Sequence, residues 1–249
     1  MTTSLGPSLP LALVTGAAGD VGAATAARMH ADGWRVLLAD VDVAAAQALA
    51  DDLGERAEAA YVDLSDDTSV RALAARAAAD GTTALVSCAG IASVGPFVDS
   101  APPTWELLHR VNLRGPMLLT QALLPALVGA ASPRIVYVAS DSARAGAAHE
   151  AAYAASKAGL LGLAKSLARE HARDGITVNV VCPGPIRGRM VDRHMADKPA
   201  MLDKLVAAIP SRRLAEPEDV AATIAWLSSP DAAYVTGQTV SVSGGMTMH

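Results

Sequence analysis

Residues 11–29 read LALVTGAAGDVGAATAARM, and the way this stretch folds decides the architecture of the chain. The apolar run LALVT has the length and composition of a strand buried on both faces. It stops at Gly16, and glycines recur at Gly19 and Gly22 before an alanine-rich run with helical spacing. Glycine at such a junction permits a tight turn, lets backbone N–H groups approach an anion and allows close helix–strand packing. A glycine triplet alone is ambiguous, because any strand-to-helix turn favours glycine. Here an acidic residue, Asp40, closes the next strand candidate, RVLLAD, 24 residues after Gly16. A carboxylate at that place accepts hydrogen bonds from adenosine ribose hydroxyls and repels a 2′-phosphate. The cofactor expected is therefore NAD, ahead of NADP. The other reading of Asp40 is a solvated strand-end carboxylate.

Working outward, five more short apolar runs follow the first two: EAAYVD, ALVSCAG, RIVYVAS, ITVNVVCPG and QTVSVSGG. Helical patterns lie between them, near 21–32, 43–53, 66–80, 103–130, 150–173 and 217–228. This alternation predicts a Rossmann-type α/β fold: a doubly wound, seven-stranded parallel sheet in three α/β/α layers. No repeat or linker-like shift divides the 249 residues, so one dinucleotide-binding domain over 1–249 is expected. Its one long interruption, about 184–213, has the length of a substrate lid.

Composition narrows the partners. Apolar residues make up 51% of the chain but aromatics only 3%, so the core must be aliphatic. A net charge of −5 gives no reason to expect nucleic acid, and no apolar run is long enough to span a membrane. A small-molecule substrate remains. Cys88 and Cys182 sit in separate strand candidates without metal-ligand spacing, which suggests two buried thiols in a reducing, cytoplasmic setting. No metal is expected.

The stretch EAAYAASKAGLLGLAKSLARE, residues 150–170, puts Tyr153 and Lys157 four apart on one helical face. Such a pair is more often a surface coincidence than a site. In a dinucleotide-binding sheet it acquires another meaning, because an ammonium near a phenol favours the phenolate and suits general acid–base work. Ser140 and Ser142, at the end of the preceding strand, could offer hydroxyls to a substrate oxygen. Asn112 lies mid-helix, where asparagine wants a polar partner. Asp63 could reach an adenine edge or equally serve a turn or helix cap.

Taken together, VTGAAGDVG, LAD, SCAG, VNLRG, VAS, YAASK, NVVCPGPI and YVTGQTVSVSGG resemble the short-chain dehydrogenase/reductase family in its compact branch. The resemblance covers essentially the whole chain. It implies that Tyr153 is the acid–base, that Lys157 holds the nicotinamide ribose and lowers the tyrosine pKa, and that Ser140 polarises the carbonyl. Asn112 would support a proton-relay water. It also implies cofactor contacts at Gly16, Gly19, Asp20, Val21 and Gly22, then at Asp40, Asp63 and Leu64. Further contacts are implied at Ala89, Gly90, Pro183, Gly184 and Ile186. A homo-oligomer, tetramer or dimer, is implied, with the 103–130 and 150–173 helices at the interface.

Three positions depart from that family's pattern. Asp20 stands where a glycine is usual, SCAG replaces NNAG, and Gly188 stands where a threonine usually holds the carboxamide. A carboxylate at position 20, beside a pyrophosphate, is expected to cost cofactor affinity.

The substrate side is less determined. Residues 184–213 carry seven Lys or Arg (Arg187, Arg189, Arg193, Lys198, Lys204, Arg212, Arg213) against Asp192, Asp197 and Asp203. One reading is an anionic substrate such as a carboxylate or a 3-hydroxyacyl or cyclic hydroxyacyl thioester; the other is a solvated lid. Met190, Met195 and Met201 would suit an adaptable lid. Substrate contacts are expected at Ser140, Ser142, His149, Tyr153, Arg187 and Met190, although His149 is equally readable as a bland loop histidine. The reaction expected is NAD-dependent interconversion of a secondary alcohol and its ketone. The alternatives are an NADP-dependent 3-oxoacyl thioester reductase, an epimerase or dehydratase that retains its cofactor, and a catalytically silent dinucleotide-binding regulator.

Overall fold

A computed structural model describes residues 9–189, 191–192 and 199–248. Seven parallel strands form one sheet in the order β3-β2-β1-β4-β5-β6-β7. They are β1 (Leu11–Thr15), β2 (Arg35–Asp40), β3 (Ala57–Tyr61), β4 (Thr82–Ser87), β5 (Arg134–Val138), β6 (Thr177–Pro183) and β7 (Thr239–Val242). The order reverses between β1 and β4, so the loops leaving those two strands diverge and open a crevice at their C-terminal ends.

Alternate residues of each strand supply the two faces, which is why these runs are apolar throughout. On one face Leu13, Leu37, Leu85, Ile135 and Val180 meet helices α3 (Asp67–Ala79), α5 (Gly115–Leu127) and α7 (Ala151–Glu170) through Leu73, Leu119, Leu123 and Leu160. On the other, Val14, Leu38, Val86, Val136 and Val181 meet α1 (Asp20–Ala31), α2 (Val43–Leu53) and α9 (Pro217–Ser228). Alanines such as Ala26, Ala46, Ala50, Ala164 and Ala168 line the helix sides, so the helices lie close and few aromatics are needed. Among the described residues lie also α4 (Pro102–His109), the short α6 (Ser142–Ala145) and α8 (Pro199–Ala208). Among the described residues no helix is long and apolar enough to cross a membrane.

Helix starts follow their caps. Asp42 accepts from the Ala45 N–H at 3.1 Å and Asp66 from the Thr68 N–H at 2.9 Å, each satisfying one orphan donor. Glu216 and Asp219 form a reciprocal capping box at the start of α9.

The continuous helix expected over 103–130 is corrected by the structure. It is two α-helices, α4 and α5, joined by a π-helical turn over Arg110–Arg114. Asn112 is buried within this turn, and its side chain makes two hydrogen bonds to Ile91 and one to Ser156. Periodicity could not show this, because the apolar pattern continues through the turn.

Candidate active site

The crevice is built around the phosphate loop. Gly16 takes a φ of +69°, and a Cβ there would stand 2.6 Å from the Ala89 backbone leaving β4. At Gly22 a Cβ would fall 2.0 Å from the Gly16 carbonyl oxygen, so only glycine lets α1 start this close to β1. Gly19 caps α1 with no side-chain hydrogen bond, leaving first-turn N–H groups for an anion. Asp40 closes β2 beside this loop. Its Oδ2 accepts from the Ala18 N–H at 2.9 Å and its Oδ1 from the Asp42 N–H at 2.9 Å. The carboxylate is thereby fixed against the loop, with lone pairs to spare for ribose hydroxyls. These features fit a dinucleotide: a tight strand-to-helix turn that only glycine allows, uncapped helix amides and an anchored carboxylate.

Asp63 is held differently. Its Oδ1 accepts from the Ser65 N–H at 2.8 Å and the Ser65 hydroxyl at 2.7 Å, so the turn reading describes what the side chain does here. Leu64 beside it is buried. Across the crevice, the Gly184 N–H donates to the Val242 carbonyl at 3.0 Å, tying the end of β6 to β7. Ile186 pairs with Ala215 as an isolated parallel bridge.

Tyr153 and Lys157 are not a surface coincidence. They share the buried face of α7 with Ser156 and Leu160, and are only 9% and 3% exposed. Lys157 Nζ donates to the Val138 carbonyl at 2.9 Å and the Ala89 carbonyl at 3.4 Å, spanning the ends of β5 and β4. Burial with no carboxylate partner pulls its pKa down to about 8. Asn112 closes the floor: its Oδ1 accepts from the Ile91 N–H at 2.8 Å, and its Nδ2 donates to the Ile91 carbonyl and the Ser156 hydroxyl, each at 2.9 Å. The Ala89–Gly90–Ile91 segment is thus pinned between Lys157 and Asn112.

Within the chain itself, burial works against the expected depression of the tyrosine pKa. Burial pushes Tyr153 up to about 12; the Ser140 hydroxyl pulls it back, and the charge of Glu150 pushes it further up. The lysine's donors are directed to carbonyls rather than the phenol, so desolvation dominates.

Sequence reasoning missed Glu150. The Ser142 hydroxyl donates to its Oε2, and the Ser142 N–H donates to Ser140 Oγ at 3.2 Å. A chain Ser140–Ser142–Glu150 therefore runs beside the phenol. The available signal was an acidic residue three positions before Tyr153, but chain proximity says nothing about which serine it meets. Glu150→Gln keeps that hydrogen bond and removes the charge. The rising alkaline limb of an oxidation pH profile is then expected to move to lower pH, as a kcat–pH series would read.

The remaining substrate-side expectations meet a different arrangement. Arg187 Nε pairs with Glu216 at 2.9 Å, Arg213 pairs with Asp219, and Arg189 Nε pairs with Asp20 at 3.1 Å. Three of the charges assigned to an anion are thus already matched within the chain. His149 is exposed at a φ of +69°, and its backbone carbonyl accepts from the Gly95 N–H at 2.9 Å. Met190, Met195, Arg193 and Lys198 lie outside the described residues. Both cysteines are free thiols; burial pushes Cys88 up to about 12 and Cys182 up to about 11, which keeps them protonated and unreactive.

A doubly wound sheet with a phosphate cradle at its switch point, and a buried Tyr–Lys pair beside it, defines a nicotinamide-dinucleotide oxidoreductase acting on CH–OH groups. A family model described as enoyl-(acyl carrier protein) reductase matches residues 16–247. Nodulation protein G of Rhizobium meliloti (strain 1021) is 40% identical over 239 residues, 95% of this chain and 96% of that one. The (3R)-3-hydroxyacyl-CoA dehydrogenase of Mus musculus is 37% identical over 252 residues, 96% of each. The crystal structure of an actinorhodin polyketide ketoreductase variant with NADPH superposes with a TM-score of 0.91 at 32% identity, covering 97% of this chain and 98% of that one. The chain belongs to the short-chain dehydrogenase/reductase family.

Proposed function

We propose that this chain, acting as one domain, is an NAD-dependent dehydrogenase interconverting a secondary alcohol and its ketone, with a 3-hydroxyacyl thioester as the leading substrate class. The observation that carries the cofactor choice is Asp40, whose carboxylate is anchored to the phosphate loop through the Ala18 N–H. A negative charge held there disfavours a 2′-phosphate. The substrate class draws support from the hydroxyacyl-CoA dehydrogenase among the relatives.

The cradle Gly16–Gly22, Asp40, the Ala89–Gly90 segment, the Pro183–Ile186 segment and Lys157 hold the dinucleotide, which supplies the hydride acceptor in oxidation and the donor in reduction. In oxidation the Tyr153 phenolate takes the hydroxyl proton, while Ser140 holds the same oxygen. In reduction the neutral phenol donates that proton to the forming alkoxide. Lys157, bonded to the Ala89 and Val138 carbonyls, fixes the strand ends beside the phenol, and Asn112 fixes the wall through which the proton exits toward solvent.

A second reading, NADPH-dependent reduction of a 3-oxoacyl thioester, draws on the NADPH in the similar ketoreductase structure. The two separate cleanly in one assay. Purified protein is offered secondary alcohols, hydroxy acids and 3-hydroxyacyl thioesters with NAD or NADP, and reduced nicotinamide is followed by absorbance. Faster turnover with NAD supports the assignment, and a preference for NADP sinks it. Asp40→Ala is expected to shrink the ratio of kcat/KM for NAD over NADP by about tenfold or more, the effect of losing on the order of 1.4 kcal/mol of discrimination. An unchanged ratio would remove Asp40 from that role.

A further inference from the structure

Two of the departures from the family pattern, Asp20 and Gly188, meet in space. A Cβ on Gly188, whose φ is +149°, would lie 2.4 Å from Asp20 Oδ2 and 2.8 Å from its Cγ. A threonine at 188 therefore has no room while an aspartate occupies position 20. The next residue completes the contact. The Arg189 N–H donates to Asp20 Oδ2 at 2.9 Å, and its Nε donates to Asp20 Oδ1 at 3.1 Å. Its Nη2 donates to the Ala18 carbonyl. Ala18 is thus held from two sides, its N–H by Asp40 and its carbonyl by Arg189.

These bonds join the phosphate loop to the segment that leaves β6, across the mouth of the crevice. Asp20 opens α1, where the helix amides await an anion. Left alone, its charge would repel a phosphate at that place. We infer that Asp20, Gly188 and Arg189 form a clasp over the dinucleotide site, in which Arg189 offsets the Asp20 charge next to the pyrophosphate and holds the β6 exit against the phosphate loop. The inference rests on the dinucleotide-dependent reading above. It assigns Arg189 a positioning role in cofactor binding, in place of the substrate contact that the basic count suggested. It also gives a physical reason for the threonine's replacement: the clasp takes up its space.

The test is NADH binding followed by nicotinamide fluorescence, without substrate, on folded variants checked by circular dichroism. Arg189→Ala is expected to weaken binding about five- to tenfold, since it leaves Asp20 uncompensated beside the ligand. The deficit should shrink in high salt. Adding Asp20→Asn to Arg189→Ala should return affinity to within about twofold of wild type. Gly188→Thr should weaken binding, and adding Asp20→Gly should recover part of that loss, the rest being the strain of a side chain at φ +149°. Wild-type affinity in Arg189→Ala would overturn the clasp. So would a double variant no tighter than Arg189→Ala, or a Gly188→Thr deficit that ignores residue 20. If the wild-type chain bound neither NADH nor NADPH, the dinucleotide reading itself would fall, an outcome distinct from loss of the clasp alone.

Discussion

Replacing Tyr153 by phenylalanine is expected to lower kcat by about a thousandfold, within the range a general acid–base contributes, while NADH affinity stays within about twofold. The substitution removes one hydroxyl from a ring that is otherwise packed, so the fold and the cradle are left intact. No neighbour is placed to take over. Lys157 is committed to the Val138 and Ala89 carbonyls, and Ser140 has no comparable acidity. With its pKa near 12, Tyr153 is a neutral phenol at physiological pH. The resting protein thus holds the proton needed for reduction, whereas oxidation requires the phenolate. Oxidation velocity is expected to rise with pH, and reduction to fall only toward strongly alkaline pH. Steady-state rates in both directions and an NADH titration decide the matter; a Tyr153→Phe enzyme with a normal rate would end the proposed chemistry.

The second large effect runs against intuition: Lys157→Met should inactivate the enzyme and stabilise the fold. Below pH 8 the protein carries a buried ammonium bonded to two carbonyls, with its pKa pulled from 10.5 to about 8. A basic group depressed in the folded state costs stability while it is charged there. That cost is fully present below about pH 8 and fades as pH rises toward the ordinary value of 10.5. It amounts to on the order of 2 kcal/mol after allowing for the two hydrogen bonds. Methionine keeps the stem's volume and removes the charge. The expected gain is about 5 °C in Tm at neutral pH, vanishing toward pH 10.5. Tyr153 works in the opposite sense, its contribution being lost as pH rises from 10 through about 12. Melting curves of both proteins across pH would show whether the lysine is retained at a cost to stability; an unstabilised variant would say it is not.

Much of this was legible in the residues. The seven strands announced themselves because strands covered on both faces must be apolar throughout, and the helices between them left only one sheet type. Gly16 and Gly22 were legible for a similar reason, since the close approaches they allow exclude every other residue. Tyr153 and Lys157 were readable as one helix face, but their burial was not, and burial decides the direction of both pKa values. What stayed hidden depends on distant parts of the chain. Asp20 reads as a liability until Arg189, 169 positions away, is seen bonded to it. The basic excess of 184–213 reads equally as an anion site or a solvated lid until Glu216 and Asp219 are found holding two of its arginines. Charge counts along a chain register how many ions there are, not which have already found partners.

The π turn at Arg110–Arg114 has a consequence for how this enzyme can vary. A π turn is an α-helix with one residue too many. Removing a single residue from it would heal the backbone ladder and leave the α5 core contacts in register, a change that a length-tolerant surface loop would accept silently. Here it would rotate Asn112 by about 100°, away from Ile91 and Ser156. The floor of the crevice would be lost while the helix became more regular. A shortened, better-formed helix would be the signature of a descendant that kept this fold and gave up its chemistry.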